Sequence, residues 1–489
     1  MKSIDRRSFL GLASASVAGL AVSSRAFAQD STTKSNNNKP NILFILSDDH
    51  SVPHLGCYGD PNIKTPNLDK LAAEGMRFER TYTTAPQCVP SRASLMTGRS
   101  AVDIRMTRFS APLPRDIVAF PELLRRDGYY TGLCGRTFHL DGSGSLPEAS
   151  EKVFDKYKLR TFHDRVDWIG SGNFAQNPQN LRTFLGRVPK GKSFFLQVGY
   201  SDPHRTFTAK AYEPDPESLK IPSNLPDTPL VRKDLAGYYG EIQHLDEEIG
   251  KLLAVLDENN LKNNTIVAFM GDNGAALLRG KGTLYECGLK VPLIVRWPGR
   301  VKPGTKSDAL ISGEDLAPTF LDAAGLGSPK EMTGVSFLNA LSGKQFQQRK
   351  YAFAERGAHG SGLPRGTGAF DLGRCVITSR YKFIYNALWQ LPYSPVDFAG
   401  SAMWEDLQKR HEAAALDAKF SKAFFAEQRP MFELFDLQED PHEFNNLIGK
   451  PATAGVEQEL KAAMQEWMIL NQDYLPLPVT PKPKKPGRE

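Results

Sequence analysis

The 489-residue chain has no Cys-x-x-C pair and no zinc-ligand spacing, although it carries five cysteines, at positions 57, 88, 134, 287 and 375. So odd and sparse a set argues against a disulfide framework, and leaves one cysteine with a special role and four as buried thiols. The chain also lacks a comfortable membrane span. Its one sustained apolar, small-residue stretch follows Arg6-Arg7-Ser8-Phe9-Leu10, runs to Val22 and precedes Ala26-Phe27-Ala28. That is the grammar of a twin-arginine (Tat) signal peptide with an A-x-A cleavage site, so residues 1–28 are expected to be removed on export. A strong net charge is missing too. Lys2, Arg6, Arg7 and Arg25 against Asp5 place +3 in the leader, and Lys482, Lys484, Lys485 and Arg488 against Glu489 another +3 in the last twelve residues. These account for the whole formal charge of +6, so the body is near neutral and the composition gives no reason to expect a nucleic-acid partner. No internal repeat is evident.

What is present reads as alternating strands and helices. Asn41–Ser47, Ser193–Tyr200 and Thr265–Gly271 are near-continuous apolar runs, as parallel strands buried on both faces should be. Each ends in polar residues: Asp48-Asp49-His50, Ser201-Asp202-Pro203-His204-Arg205 and Asp272-Asn273-Gly274. Shorter strands are expected over 129–134, ending at Gly135-Arg136-Thr137-Phe138-His139, and over 291–297. Helices are expected over 65–75, 120–128, 235–259, 316–324 and 455–470. The pattern predicts an α/β fold, with ligands gathered at the carboxyl ends of a mostly parallel sheet. From about residue 350 short Phe/Tyr-rich strands suggest a smaller C-terminal α+β lobe. The expected organisation is a leader (1–28), a Ser/Thr/Asn-rich linker (29–39), a catalytic domain (40–345), a C-terminal subdomain (346–475) and a Pro/Lys-rich tail (476–489).

Cys88-Val89-Pro90-Ser91-Arg92-Ala93-Ser94-Leu95-Met96-Thr97-Gly98 is the stretch with most chemistry in it. Pro near a helix start and Gly past its end predict a short helix over 90–97, which sets Cys88 at an N-terminus that favours negative charge. Arg92 adds a fixed cation one turn in. These residues alone leave open a buried structural cysteine, a thiolate activated by the helix end, and a nucleophile beside an anion site. Separately, Asp48, Asp49, Asp272 and Asn273 would converge as hard oxygen ligands if their strands are neighbours, a set suited to Ca²⁺ or Mg²⁺.

Cys-x-Pro-Ser-Arg-x-x-x-x-Thr-Gly resembles the signature of the type I sulfatases of the alkaline-phosphatase-like superfamily, in which the cysteine is oxidised to formylglycine. Gly280-Lys281-Gly282-Thr283-Leu284-Tyr285-Glu286, Asp202-Pro203-His204 and the C-terminal Leu434–Leu447 stretch also look like the family's motifs. The resemblance implies an alkaline-phosphatase-like sandwich of a large sheet between helices. It further implies one Ca²⁺ held by Asp48, Asp49, Asp272, Asn273 and the modified Cys88. Arg92, Arg136 and Lys281 would then cradle the sulfate and His139 and His204 would move protons. One hydroxyl of the formylglycine hydrate would attack sulfur, and the other would expel sulfate. The family usually has Lys where Arg136 stands, and here an extra residue precedes His139. Asp202–Arg205 and the 386–407 segment look most like the heparan N-sulfatase branch.

The expected activity is therefore release of sulfate from a sulfated glycan, as O-sulfate or N-sulfate, by a periplasmic or secreted enzyme. Its other partners would be a formylglycine-generating enzyme and the Tat machinery. A phosphatase or phosphonate hydrolase of the same superfamily, or a glycan-binding relative without catalysis, are the competing readings. A single hard-metal site and the full cysteine motif disfavour a two-zinc phosphatase.

Overall fold

The computed structural model describes residues 39–109, 112–141, 148–159, 161–359 and 366–478. The expected leader, the linker up to residue 38 and the tail from residue 479 lie outside the described residues.

Eight strands form the larger sheet: β1 (Asn41–Ser47), β2 (Met76–Tyr82), β3 (Tyr130–Cys134), β4 (Trp168–Ile169), β5 (Phe194–Gly199), β6 (Thr265–Gly271), β7 (Leu293–Arg296) and β8 (Thr305–Ser312). Their order is β4-β3-β5-β1-β6-β7-β2-β8. Only β7 runs against its neighbours; the other pairings are parallel. β1 lies at the centre, with Leu43 opposite Leu196 of β5 and Val267 of β6. Its alternate residues feed two cores, which is why the run reads as continuously apolar. Leu43 and Ile45 pack with Leu235, Ile242 and Leu252 of the long Pro229–Glu258 helix. Ile42, Phe44 and Leu46 pack on the other face with Val89, Ala93, Phe120 and Phe320.

The smaller sheet is antiparallel, β12-β11-β10-β9, built from β9 (Ala352–Ala358), β10 (Phe370–Ile377), β11 (Tyr381–Asn386) and β12 (Phe432–Asp436). One face packs on the Ala454–Leu470 helix through Val376, Phe383, Leu434, Met464 and Trp467. The other shares a core with Tyr82, Leu284, Leu289 and Leu310 of the first sheet's elements.

Some expectations shift. The long helix starts at Pro229, six residues early, where Thr228 accepts a hydrogen bond from the Val231 N–H and Pro occupies the first turn. All five cysteines are free, but Cys57 and Cys287 are only half-buried, so they are not all core thiols. No helix among the described residues is long and apolar enough to cross a membrane.

Candidate active site

The strand order brings four polar strand ends together. β3, β5, β1 and β6 are successive neighbours, so Arg136, His204, Asp48-Asp49 and Asp272-Asn273 emerge at one edge of the sheet. The Cys88–Thr97 helix points its first residue at that edge, with Cys88 Sγ against Asp48. It begins at Cys88 rather than at Pro90, with Gln87 as its cap residue. Pro90 therefore falls in the first turn, where its missing N–H deprives the helix of nothing. Gly98, at φ +65°, ends it in the left-handed conformation. Ser91 fixes the helix sideways, donating to the Asp272 carbonyl and accepting from Thr83 Oγ1 at 2.6 Å.

Cys88 is fully buried, its Sγ 3.2 Å from Asp48 Oδ1 and 3.8 Å from Asp49 Oδ1. Burial and then the Asp48 charge push the thiol well above its ordinary range, against the pull of Lys281. An ordinary thiolate nucleophile is the reading this environment disfavours. Arg92, wholly buried, bonds Asp272 Oδ2 through Nε at 2.8 Å and pairs with Asp48 Oδ2 at 3.2 Å. Lys281 Nζ lies 2.9 Å from Asp49 Oδ1. Its loop is pinned by the Lys281 N–H to the Ala275 carbonyl at 2.7 Å and by the Gly282 N–H to the Pro86 carbonyl at 2.9 Å. Arg136 contacts Asp48, donates to His139 Nδ1 at 3.1 Å and to Ser201 Oγ at 2.6 Å. His139 Nδ1 lies 3.2 Å from Asp48 Oδ2, and His204 Nε2 3.7 Å from Asp49 Oδ2. All of the site residues expected from sequence thus share one cluster.

Electrostatically the acids divide. Burial acts to raise Asp48, but Arg136 and Arg92 outweigh it and hold the carboxyl well below its usual range. Burial dominates at Asp49, raised to about 7 despite Lys281, and at Asp272, raised to about 6 with Asp48 adding to the shift. Burial likewise lowers His139 to about 3 and His204 to about 4, leaving both neutral at pH 7. The Asn273 Oδ1 is buried without a hydrogen-bond partner among the described residues, while its Nδ2 donates to Asp49 Oδ1 at 2.8 Å. An orphaned amide oxygen beside carboxylates that resist ionisation is what a site for a hard divalent cation looks like before its charge is counted. Asp48, Asp49 and His204 present ligand atoms within 4.8 Å of one another, as do Asp48, Cys88 and His139. The carboxylate and amide oxygens of Asp48, Asp49, Asp272 and Asn273 are a donor set for a hard divalent cation such as Ca²⁺ or Mg²⁺.

Two groups on the rim come from the C-terminal region and are not among the residues expected from sequence. Asp397 Oδ2 lies 2.7 Å from Lys281 Nζ and 3.6 Å from His204 Nε2. His359 Nε2 lies 3.3 Å from Asp397 Oδ1, with its ring 4.5 Å, edge to face, from Phe109. The one sequence signal for Asp397 was its place in the 386–407 segment.

The sulfatase family model matches residues 40–326, more than half of the chain and every strand-end residue above. The chain belongs to the sulfatase family. A second model, for the C-terminal part of N-sulphoglucosamine sulphohydrolase, matches residues 277–386 of this sulfatase. An ulvan-active sulfatase of Formosa agariphila is 29% identical over 90% of the chain and 76% of its own length. Human N-sulphoglucosamine sulphohydrolase is 28% identical over 88% of the chain and 90% of its own. A solved structure in complex with its substrate D-glucosamine-2-N,6-O-disulfate superposes with a TM-score of 0.65 at 22% identity, covering 89% of this chain and 99% of that one. The fold is the alkaline-phosphatase-like sandwich of the sulfatases, with the large sheet between helices and the smaller lobe beside it.

Proposed function

We propose that this sulfatase is calcium- and formylglycine-dependent and cleaves sulfate from a saccharide. The observation that carries the reading is Cys88, on a helix N-terminus 3.2 Å from Asp48, inside a ring of Asp49, Asp272, Arg92 and Lys281. Asp48, Asp49, Asp272, Asn273 and residue 88 would hold Ca²⁺. When bound, the cation would offset charge on the sulfate oxygens, and formylglycine at 88 would supply the hydroxyl that displaces the leaving group from sulfur.

The chain's own residues do the remaining work. Arg92 is locked by two carboxylates, so its position is set before substrate arrives and no reorganisation is needed when charge develops. Lys281, against Asp49, and Arg136, against Asp48, would offset the negative charge of a sulfate monoester. His204, neutral and 20% exposed at its side chain, stands on the open side, where the sugar leaves. There Lys281, which is cationic, can hand a proton to the departing oxygen or nitrogen, as can His204 once the charge of a bound sulfate has drawn it into its protonated form. His139, held by Arg136 and Asp48, faces residue 88 and can accept a proton on the way back to the resting state.

We assign residues 40–345 to the catalytic domain and 346–475 to a C-terminal subdomain, with a cleaved Tat leader and export to the periplasm or beyond. Folded export suits an enzyme whose cysteine a formylglycine-generating enzyme has converted beforehand. The substrates named for the relatives, ulvan and N-sulphoglucosamine, leave both O-sulfate and N-sulfate release compatible with this site.

The test is sulfate release from a panel of N- and O-sulfated sugars by protein co-expressed with a formylglycine-generating enzyme. Conversion at residue 88 would be read by peptide mass. Activity abolished by Cys88→Ser and by chelation, and restored by Ca²⁺, is expected. Undiminished activity after chelation, or in the Ser variant, would overturn the reading.

A further inference from the structure

The proposed reading leaves open which sugar carries the sulfate, and the rim of the site bears on it. Beside Lys281 and His204 opens a cavity of 310 Å³, walled by His359, Gly368, Ser394, Val396 and Asp397 among others. The wall is built almost wholly from small or uncharged side chains. Asp397 is the one formally charged group among its described lining residues. His359 is nearly buried, and burial lowers it to about 4, so it is a neutral ring at pH 7.

Asp397 does not sit there by chain convenience. Its backbone is left-handed, at φ +67°, a conformation that Asp and Asn tolerate better than most residues. Its two oxygens are used in different directions, Oδ2 toward Lys281 at 2.7 Å and Oδ1 toward His359 at 3.3 Å. Its side chain nevertheless remains 26% exposed and lines the cavity, and a carboxylate has more lone pairs than these two contacts use. His359 Nδ1 is a further buried ring nitrogen with no hydrogen-bond partner among the described residues. The sulfate side of the site is lined by cations and the sugar side by an anion and neutral acceptors.

We propose that Asp397, with His359, is the specificity-determining acceptor of the saccharide subsite, and that the sugar bearing the scissile sulfate is a neutral or amino sugar rather than a uronate. Hydroxyl or amino groups next to the scissile bond donate to the carboxylate. A sugar carboxylate brought to the same wall would face a like charge in a partly desolvated pocket. Asp397 also positions Lys281, so its loss touches both catalysis and choice of substrate; only the second is diagnostic. This inference rests on the sulfatase reading of the site.

The decisive experiment compares kcat/KM of the converted enzyme on three monosaccharide substrates: N-sulfoglucosamine, a uronate O-sulfate, and the carboxyl-reduced hexose O-sulfate that differs from it only in charge. Wild type is expected to favour the reduced sugar over the uronate by about tenfold or more. In Asp397→Asn, which suits the same backbone angle, that ratio should collapse to within about threefold, with the change mainly in KM. A wild-type preference for the uronate would overturn the proposal. So would an equal loss on all three substrates in the variant, which would leave Asp397 a role in positioning Lys281 alone. Calorimetric binding of the desulfated products glucosamine and glucuronate reads the same preference without turnover. If no sulfate is released, the catalytic reading fails, while product binding still decides this one.

Discussion

Arg136 stands where the resemblance to the sulfatases led us to expect lysine, and its contacts say what an arginine does there. The guanidinium touches Asp48, His139 and Ser201 at once, a fork that a single ammonium cannot reproduce. Arg136→Lys keeps the charge but not the Ser201 and His139 contacts together. We expect kcat/KM within about tenfold of wild type, whereas Arg136→Ala should lose about 10²–10³-fold, the usual effect of removing one preorganised donor. Steady-state kinetics on one sulfated sugar checks both. Glu355 offers a residue-scale prediction away from the Asp48 cluster. It is 1% exposed, neither oxygen has a hydrogen bond among the described residues, and Arg374 lies 3.8 Å away. Burial raises it from 4.5 to about 7 against the pull of Arg374 and Arg356. Between those values the folded state holds a proton that the unfolded chain has released, so this contribution to stability is full below about pH 4.5 and lost as pH rises through 7. Glu355→Gln should therefore be more stable than wild type by about 1–3 kcal/mol at pH 8, with the gap closing toward pH 5. Urea titrations at the two pH values measure it.

At the scale of elements, the helix that carries Cys88 is held at both ends by backbone demands. Gly98 sits at φ +65°, and a Cβ there would lie 2.9 Å from Met332 Sδ and 3.1 Å from Ala317 Cβ. Gly98→Ala should cost about 1–2 kcal/mol in urea unfolding, with kcat/KM of the folded enzyme little changed because Cys88 lies at the far end. The same helix shows why this site could be read in the sequence. Its ligands stand directly after buried strands whose apolar runs are continuous because both faces are covered. The parallel order β5-β1-β6 turns those three strand ends into neighbours. β2 and β8 were harder to read. Arg77, Glu79 and Arg80 interrupt β2, and β8 opens with the partly exposed Thr305, Lys306, Ser307 and Asp308, since both lie toward the sheet's edge. His359 and Asp397 escaped for another reason. His359 follows β9, a buried strand whose apolar run is broken by Glu355 and Arg356, and Asp397 comes from a loop, both at sequence distances that no local pattern spans.

At the scale of the molecule, the two sheets are joined by a buried charge cluster and a shared apolar core, and their coupling can be tested. Lys382 of β11 is wholly buried and reaches Glu286 at 2.7 Å and Glu443 at 2.8 Å. Glu286 belongs to the chain segment following Lys281, so this lysine ties the second sheet to the loop that supplies the site. Around it Tyr82, Leu284, Leu289 and Leu310 pack against Ala354, Cys375, Ile384 and Phe435, a core that neither sheet could bury alone. Separation of the sheets would expose that core and leave two carboxylates facing each other without their cation. Lys382→Met should accordingly destabilise by about 3–5 kcal/mol, because the buried acids lose their partner while no polar group replaces it. The unfolding should remain one transition, with calorimetry and near-ultraviolet circular dichroism reporting the same midpoint. A wild-type melt that resolves into two steps would mean that the C-terminal sheet comes away first, and that Asp397 and His359 leave the site before the catalytic strands unfold.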